Sequence, residues 1–306
     1  MNDRKIFISG GAGVIGTSLV TALLKENVTI FVGDLKPCPK EWEGKLQYRQ
    51  GDLNEITVDE LNRFQPDLFF HLAATFERSE ETPPFFEENY HHNVALSHHL
   101  LHCLSQVKSM KRIVFASSYL IYDPTLYLSK EFNPKTCSLS ENSQISPRNI
   151  CGAAKLFFES ELKFAKRFSN LSYISARIFR VYGRGSKDIV SRWILSLINH
   201  EELTVYRPEG KFDYIFADDV AVGLIHLAKS DYSGIVNLGT GHARSVEELL
   251  SLLKSHFPDL KASHMPSDIL FESSSADMDT FKKITGYTPP TSLEEGISKL
   301  IAFYSQ

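Results

Sequence analysis

Apolar and polar positions along this chain fall into two kinds of run. Short, nearly continuous apolar stretches read as strands: KIFISG, VTIFVGD, DLFFHLAA, KRIVFASS and LSYISARIF. Between them lie longer stretches whose apolar residues recur at helical spacing: GVIGTSLVTALLKEN, the short DELNRFQ, NYHHNVALSHHLLHCLSQV and GAAKLFFESELKFAKRF. Strands covered on both faces lose the apolar–polar alternation of half-exposed ones. The strand–helix alternation therefore predicts an α/β fold, a doubly wound parallel sheet with helices on both faces. The pattern loosens between Tyr122 and Ser146, where Pro, Asn and Ser are frequent, and predicts a long loop beside a functional site. Beyond Gly183 the elements become shorter and mixed, which predicts a smaller α/β C-terminal lobe. FADDVAVGLIHLAK and GIVNLGTG look like a helix and a strand returning to the first domain. The expected division is residues 1–178 with 214–240, and a second lobe from 179–213 and 241–306.

The bulk properties narrow the function classes. A chain of 306 residues, 42% hydrophobic, can build one large domain and a smaller partner. Its net charge of -4, without a Lys/Arg block, argues against a nucleic-acid surface. No apolar run approaches the roughly 20 residues of a membrane span. MNDRKIFISGG lacks the apolar core of a secretory leader. Cys38, Cys103, Cys137 and Cys151 are scattered with no CxxC, so neither a disulfide framework nor a structural zinc site is expected. The default is a reduced cytoplasmic compartment.

Ser9-Gly10-Gly11-Ala12-Gly13-Val14-Ile15-Gly16 follows the first strand and opens the first helix. Glycines allow a tight turn and let backbone amides reach a pyrophosphate, to which the helix N-terminus adds its positive end. An acidic residue, Asp34, closes the second strand. A carboxylate there accepts the ribose hydroxyls of NAD and repels the extra phosphate of NADP, so NAD is the expected cofactor.

With these features the chain resembles the extended short-chain dehydrogenase/reductase family, the NAD-dependent sugar epimerases and dehydratases, over nearly its whole length. Gly10, Gly13 and Gly16 fit the glycine motif. Gly51-Asp52-Leu53 fits the segment that contacts adenine, and His71-Leu72-Ala73-Ala74 the one under the nicotinamide ribose. Asn93 fits the helix asparagine, and Ser117-Ser118-Tyr119-Leu120-Ile121-Tyr122 the segment with the catalytic Ser or Thr, here Ser118. Arg177 to Gly183, Asp213 to Val220 and Asn237 to Gly241 match further family segments in order. The resemblance implies a Rossmann domain with a smaller substrate lobe, a nucleotide-diphosphate sugar substrate and a homodimer. It places the cofactor on Gly10, Gly13, Val14, Ile15, Gly16, Asp34, Leu35, Asp52, Leu53, Leu72, Ala73, Ala74, Lys155 and Ile178. It places the substrate on Thr75, Ser118, Tyr119, Arg180 and Arg192.

The family's chemistry moves a hydride between a sugar carbon and the nicotinamide while a tyrosine, one helical turn before a lysine, carries the proton. Here Ser118 and Lys155 are present, but the tyrosine position, in NICGAAK, holds Cys151. Three readings stay open. Chemistry persists with another carrier: a lowered-pKa Cys151 thiol, a bridging water, or Tyr119. Or the chain is a non-catalytic binder of NAD or a sugar nucleotide, with Cys151 a small packing residue. Or the exchange was made for study. The family also contains inverting 4,6-dehydratases without this tyrosine, but neither Tyr119 nor Leu120 is the acidic residue that dehydratases carry. Arg180 stands where the family has Asn, and Phe212 where a phosphate-binding Arg is frequent; Arg192 and Arg207 are each either the source of that charge or a solvated surface arginine. His98/His102 and His99/Cys103 have chelating spacing on one helix, but no carboxylate accompanies them and no metal is expected.

Overall fold

The structure is a computed structural model that describes residues 1, 3–76, 81–133, 135–169 and 171–305. From the N-terminus the elements are β1 (Arg4–Ser9), α1 (Val14–Leu23), β2 (Val28–Asp34), β3 (Gln47–Gln50), α2 (Val58–Phe64) and β4 (Leu68–His71). Next come α3 (Pro83–Asn89), a π-turn at Tyr90–Ala95, α4 (Leu96–Ser105) and β5 (Arg112–Ser118). The short β6 (Leu128–Ser129) and β7 (Cys137–Leu139) precede α5 (Ile150–Phe168) and β8 (Ser172–Ile178). There follow β9 (Arg180–Tyr182), α6 (Ile189–Ile198), β10 (Leu203–Val205), β11 (Lys211–Phe212), β12 (Tyr214–Phe216), α7 (Ala217–Lys229) and β13 (Gly234–Leu238). The chain closes with β14 (Arg244–Ser245), α8 (Val246–His256), β15 (Ala262–His264), β16 (Phe271–Glu272), β17 (Ser274–Ala276), α9 (Asp279–Thr285) and α10 (Leu293–Tyr304).

The first compact unit comprises Met1–Ile121, Ile145–Arg177 and Ala221–Val236, and the second Tyr122–Gln144, Ile178–Val220 and Asn237–Gln306. The returning segment is thus shorter than the expected 214–240, and the 122–144 stretch groups with the second unit. A seven-stranded sheet runs in the order β13-β8-β5-β4-β1-β2-β3. β1 pairs in parallel with β2 (Ile6↔Ile30, Ile8↔Val32) and with β4 (Ile6↔Leu68, Ser9↔His71), and β4 in parallel with β5. The central strands are buried on both faces, which is why their sequences lack alternation. On one face Phe7 stacks on Phe69 with ring centroids 5.0 Å apart and meets Phe31 at 5.1 Å, while Phe115 takes the edge of Phe158 from α5 at 4.7 Å.

The strands β3, β6 and β7 escaped the hydrophobic pattern. β3 is the polar QYRQ, and only its parallel pairing with β2 (Phe31↔Gln47 to Asp34↔Gln50) makes it a strand. The expected loop at 122–146 holds β6, antiparallel to β16, and β7, parallel to β17, within the second unit. Strands of two or three residues carry no periodic signal, and their partners lie far along the chain. The core of the second unit gathers Ile194 and Leu197 of α6, Leu249 and Leu253 of α8, and Ile297 and Leu300 of α10 around Tyr214 and Phe216 of β12. Among the described residues no helix is long and apolar enough to cross a membrane.

Candidate active site

The sheet order changes direction at β1, which has β2 on one side and β4 on the other. In open α/β sheets this reversal opens a crevice beyond the C-terminal strand ends. Gly10 leaves β1 there with φ +73°, and a Cβ on it would sit 2.6 Å from the backbone of Ala73, just past β4. Only glycine fits this turn against that neighbour. Gly16 is buried behind it, where a Cβ would come within 2.5 Å of the Gly11 carbonyl oxygen, so α1 packs directly on the turn. α1 starts at Gly13 with no side-chain cap, and its first turn carries no acidic residue. Its first amides and its positive end are therefore open to an anion.

A cavity of about 310 Å³ lies over this turn within the first unit. It is lined by Gly10, Gly13, Asp34, Leu35, Asp52 and Leu53 on one side and by Leu72, Ala73, Ala74 and Thr75 on the other. Ten residues named from the resemblance therefore meet around one space, while Val14, Ile15 and Gly16 form the helix start behind it. The Asp34 carboxylate accepts the Ala12 amide at 2.8 Å and the Lys36 amide at 2.9 Å, which fixes its two oxygens at the edge of the glycine turn. Lys36 returns its ammonium to the Ala12 carbonyl at 3.2 Å. Lys36, Glu88 and His92 also line the cavity. Spacing did not reveal Glu88 and His92, because they lie on helical segments far from the glycine turn in sequence.

The cavity wall is pinned from behind by a buried chain of hydrogen bonds. His71, fully buried at the end of β4, has Nδ1 2.7 Å from Ser9 Oγ and Nε2 2.8 Å from Ser97 Oγ. Ser97 donates to the Asn93 carbonyl at 2.6 Å, so it accepts from Nε2–H, and Nδ1 accepts from the Ser9 hydroxyl. Burial, with the Lys155 charge, holds the imidazole pKa well below its usual range, which keeps this neutral tautomer. Asn93, inside the π-turn, accepts the Thr75 amide at 2.9 Å and donates to the Thr75 carbonyl at 3.0 Å. The family asparagine thus sets the backbone of the segment after β4.

NICGAAK forms the start of α5. Asn149 caps it by accepting the Gly152 amide at 2.8 Å, and Glu81 accepts the Ile150 amide at 2.9 Å. A Cβ at Gly152 would lie 2.6 Å from the Leu120 carbonyl oxygen, so glycine lets the helix close on the turn after β5. Cys151 is only 4% exposed, and its Sγ lies 3.8 Å from the Thr75 carbonyl. Lys155 donates to the Ala116 carbonyl at 2.8 Å, and its ammonium lies 4.7 Å from the centre of the Phe115 ring. The residue keeps some solvent contact, but its charged end is enclosed, and desolvation lowers its pKa to about 8. Ser118, half-buried at the end of β5, accepts the Leu120 amide at 3.2 Å, and Tyr119 is buried in the following turn. Below them Glu159 of α5 and Arg177 of β8 form a buried pair (2.7 and 3.1 Å), and Ser117 donates to the same carboxylate at 2.6 Å.

The remaining candidates lie in the second unit. Ile178 ends β8, almost fully buried. Arg180 sits 4.0 Å from the centre of the Phe212 ring and 3.4 Å from the Glu272 carboxylate. Arg192 is exposed on α6, and Arg207 donates to the Ile269 carbonyl at 2.8 Å. Buried Asp213 accepts amides from Thr240, Gly241 and Ala276, so it fastens the loop after β13. Of the helical pairs, His98 and His102 take separate partners, while Cys103 Sγ lies 3.5 Å from His99 Nε2 and both side chains face the Ile56 carbonyl. His98 meets Glu161 of α5 at 2.5 Å, His99 the Ile56 carbonyl at 2.8 Å, and His102 the Gln106 amide at 3.2 Å.

The model of the NAD dependent epimerase/dehydratase family matches residues 6–239, from β1 to the loop after β13. The chain belongs to this family. It is similar over 98% of both chains, at 27% identity, to an uncharacterized UDP-glucose epimerase, YtcB, of Bacillus subtilis (strain 168). It is 28% identical to UDP-glucuronic acid decarboxylase 1 of Danio rerio, over 99% of this chain and 73% of that one. Among solved structures it resembles MoeE5 in complex with UDP-glucose and NAD, with a TM-score of 0.84 and 28% identity over 98% of each chain. The family is NAD-dependent, so the cofactor expected from Asp34 agrees with the family to which the glycine turn belongs.

Proposed function

We propose that this family member transfers a hydride between NAD and a sugar carbon of a nucleotide-diphosphate sugar, as an epimerase- or oxidoreductase-type enzyme. The carrying observation is the cavity in which the glycine turn, Asp34 and Asp52 face the Leu72–Thr75 segment. The names of the relatives, sugar-nucleotide enzymes, and MoeE5 with UDP-glucose and NAD support the substrate class. Lys155 and Ser118 supply the frame: one holds positive charge beside β5, the other a hydroxyl at its end. The Cys151 thiol is enclosed against the Thr75 carbonyl, which favours a carrier other than direct contact of this thiol with substrate; a bridging water or Tyr119, itself buried, is the alternative that the variants below address. The same enclosure favours a second reading, a binding protein whose site lacks its acid–base group.

One experiment separates the two. The purified protein is incubated with NAD and a panel of nucleotide sugars, and NADH absorbance and sugar products are followed. Turnover that disappears in Lys155→Ala and in Tyr119→Phe supports an enzyme with a substituted carrier; full turnover in Lys155→Ala overturns the assignment. No turnover in the wild type, with activity appearing in Cys151→Tyr, supports the binding reading.

We further infer a homodimer. Phe157 and Phe164, two turns apart on α5, are 46% and 58% exposed, and Tyr90 ahead of α4 is 62% exposed. A monomeric mass by light scattering overturns this. The four free cysteines support a reducing, cytoplasmic location.

A further inference from the structure

We propose that Asp52, His91 and His92 form a binding site for a late first-row transition-metal ion such as Zn²⁺, beside the cavity read here as the cofactor's. Among the described residues these three each place one ligand atom within 4.8 Å of the others. Asp52 caps the turn after β3. Its Oδ1 accepts the Asn54 amide at 2.8 Å and the Asn54 side chain at 3.0 Å, which leaves Oδ2 directed at His91 Nε2, 2.5 Å away. His91 and His92 are consecutive, and in an α-helix consecutive side chains diverge too far to share an ion. Here they fall in the π-turn, whose wider coil reduces that divergence, and their rings stand 4.7 Å apart at 79°.

The donor set fits the chemistry of the ion. Two imidazoles and one carboxylate suit zinc, nickel or copper and not magnesium or calcium, which demand oxygen ligands. Bonds of about 2.0–2.1 Å in a tetrahedral site set ligand atoms roughly 3.4 Å apart. The Asp52–His91 separation must open by about 1 Å and the wider separations close by a similar amount. The His91 side chain is 50% exposed and can make that movement. A metal ion takes the place of any proton on Nε2 or Oδ2, which leaves to solvent. The Asn54 side chain holds Oδ1 of the carboxylate and lies 3.3 Å from both His91 Nε2 and the His91 carbonyl, so it ties Asp52 to His91 as outer partners of metal sites do. Three protein ligands leave one position open.

Asp52 and His92 both line the cavity, so an ion there and a bound dinucleotide compete. This competition, unlike the metal site itself, rests on the cavity being the cofactor's.

The test is calorimetric titration of cofactor-free protein with ZnCl₂. One ion is expected to bind per chain, MgCl₂ to give no binding heat, and His91→Ala and His92→Ala each to weaken zinc by about tenfold or more. His98→Ala, on the next turns, is the control and leaves zinc affinity within about twofold. Saturating NAD is expected to raise the apparent zinc Kd. Unchanged zinc affinity in both His91→Ala and His92→Ala, or a loss in His98→Ala instead, overturns the site. Zinc bound through His91 and His92 but unaffected by NAD overturns the competition. Absence of NAD binding in a separate titration fails the cavity reading and leaves the zinc result standing.

Discussion

Replacing Lys155 with methionine keeps a long apolar stem in the same groove and removes the charge at its end. Burial lowers the ammonium pKa from 10.5 to about 8. Below pH 8 both folded and unfolded chains carry the proton, and the folded state bears the full cost of desolvating it. Between pH 8 and 10.5 the folded state has released that proton while the unfolded state still holds it, so wild-type stability rises with pH. Above 10.5 both are neutral and the cost is gone. At ~1.36 kcal/mol per pH unit this displacement amounts to about 3.4 kcal/mol, and residual solvent contact of the side chain reduces the expectation to about 2–3 kcal/mol. Urea unfolding followed by circular dichroism, on wild type and Lys155→Met from about pH 7 to about pH 10.5, reads the effect. The stability of the variant minus that of the wild type should fall by about 2–3 kcal/mol across this window, whatever the substitution does to packing. Alkaline titrations of groups that do not interact with Lys155 act on both proteins and cancel; Cys151, which does interact with it, is removed from the comparison by a Cys151→Ala background in both. A difference constant to within ~0.5 kcal/mol would refute the placement of Lys155 in an enclosed, desolvated position. On the proposed function the variant should also lose hydride transfer, because that proposal gives the Lys155 charge a part in the chemistry.

Two further substitutions probe the frame around the site. Gly10→Ala forces a left-handed φ on an L-residue, about 1–2 kcal/mol, and drives a methyl into the Ala73 backbone, about 1–3 kcal/mol more; NAD affinity, measured by fluorescence titration, should fall by about tenfold or more, and wild-type affinity would show that the cofactor does not depend on this turn. Glu159→Leu leaves the Arg177 guanidinium buried without its carboxylate, and chemical denaturation should show a loss of about 3–5 kcal/mol; a loss under about 1 kcal/mol would mean that the pair does not hold α5 to β8.

The sequence by itself determined the α/β class, the strands β1, β2, β4, β5 and β8, the helices between them, and the glycine turn followed by Asp34. These are local or periodic properties: a strand buried on both faces must be apolar throughout, and a turn that meets a pyrophosphate must lack side chains. The resemblance carried further, to the Leu72–Thr75 wall, Ser118 and Lys155. What it could not carry was proximity between residues with no shared spacing. Only the tertiary structure seated Cys151, at the position the resemblance gives to a tyrosine, as an enclosed thiol against the Thr75 carbonyl, far back in the chain. The fold alone tied His71 to Ser9 and Ser97, paired Glu159 with Arg177, and made the polar QYRQ a strand by laying it along β2. It alone brought Asp52 to two neighbouring histidines whose sequence spacing promises no chelation. Backbone pairing and side-chain convergence across a sheet depend on where distant segments end up, and periodicity along one segment holds no record of that.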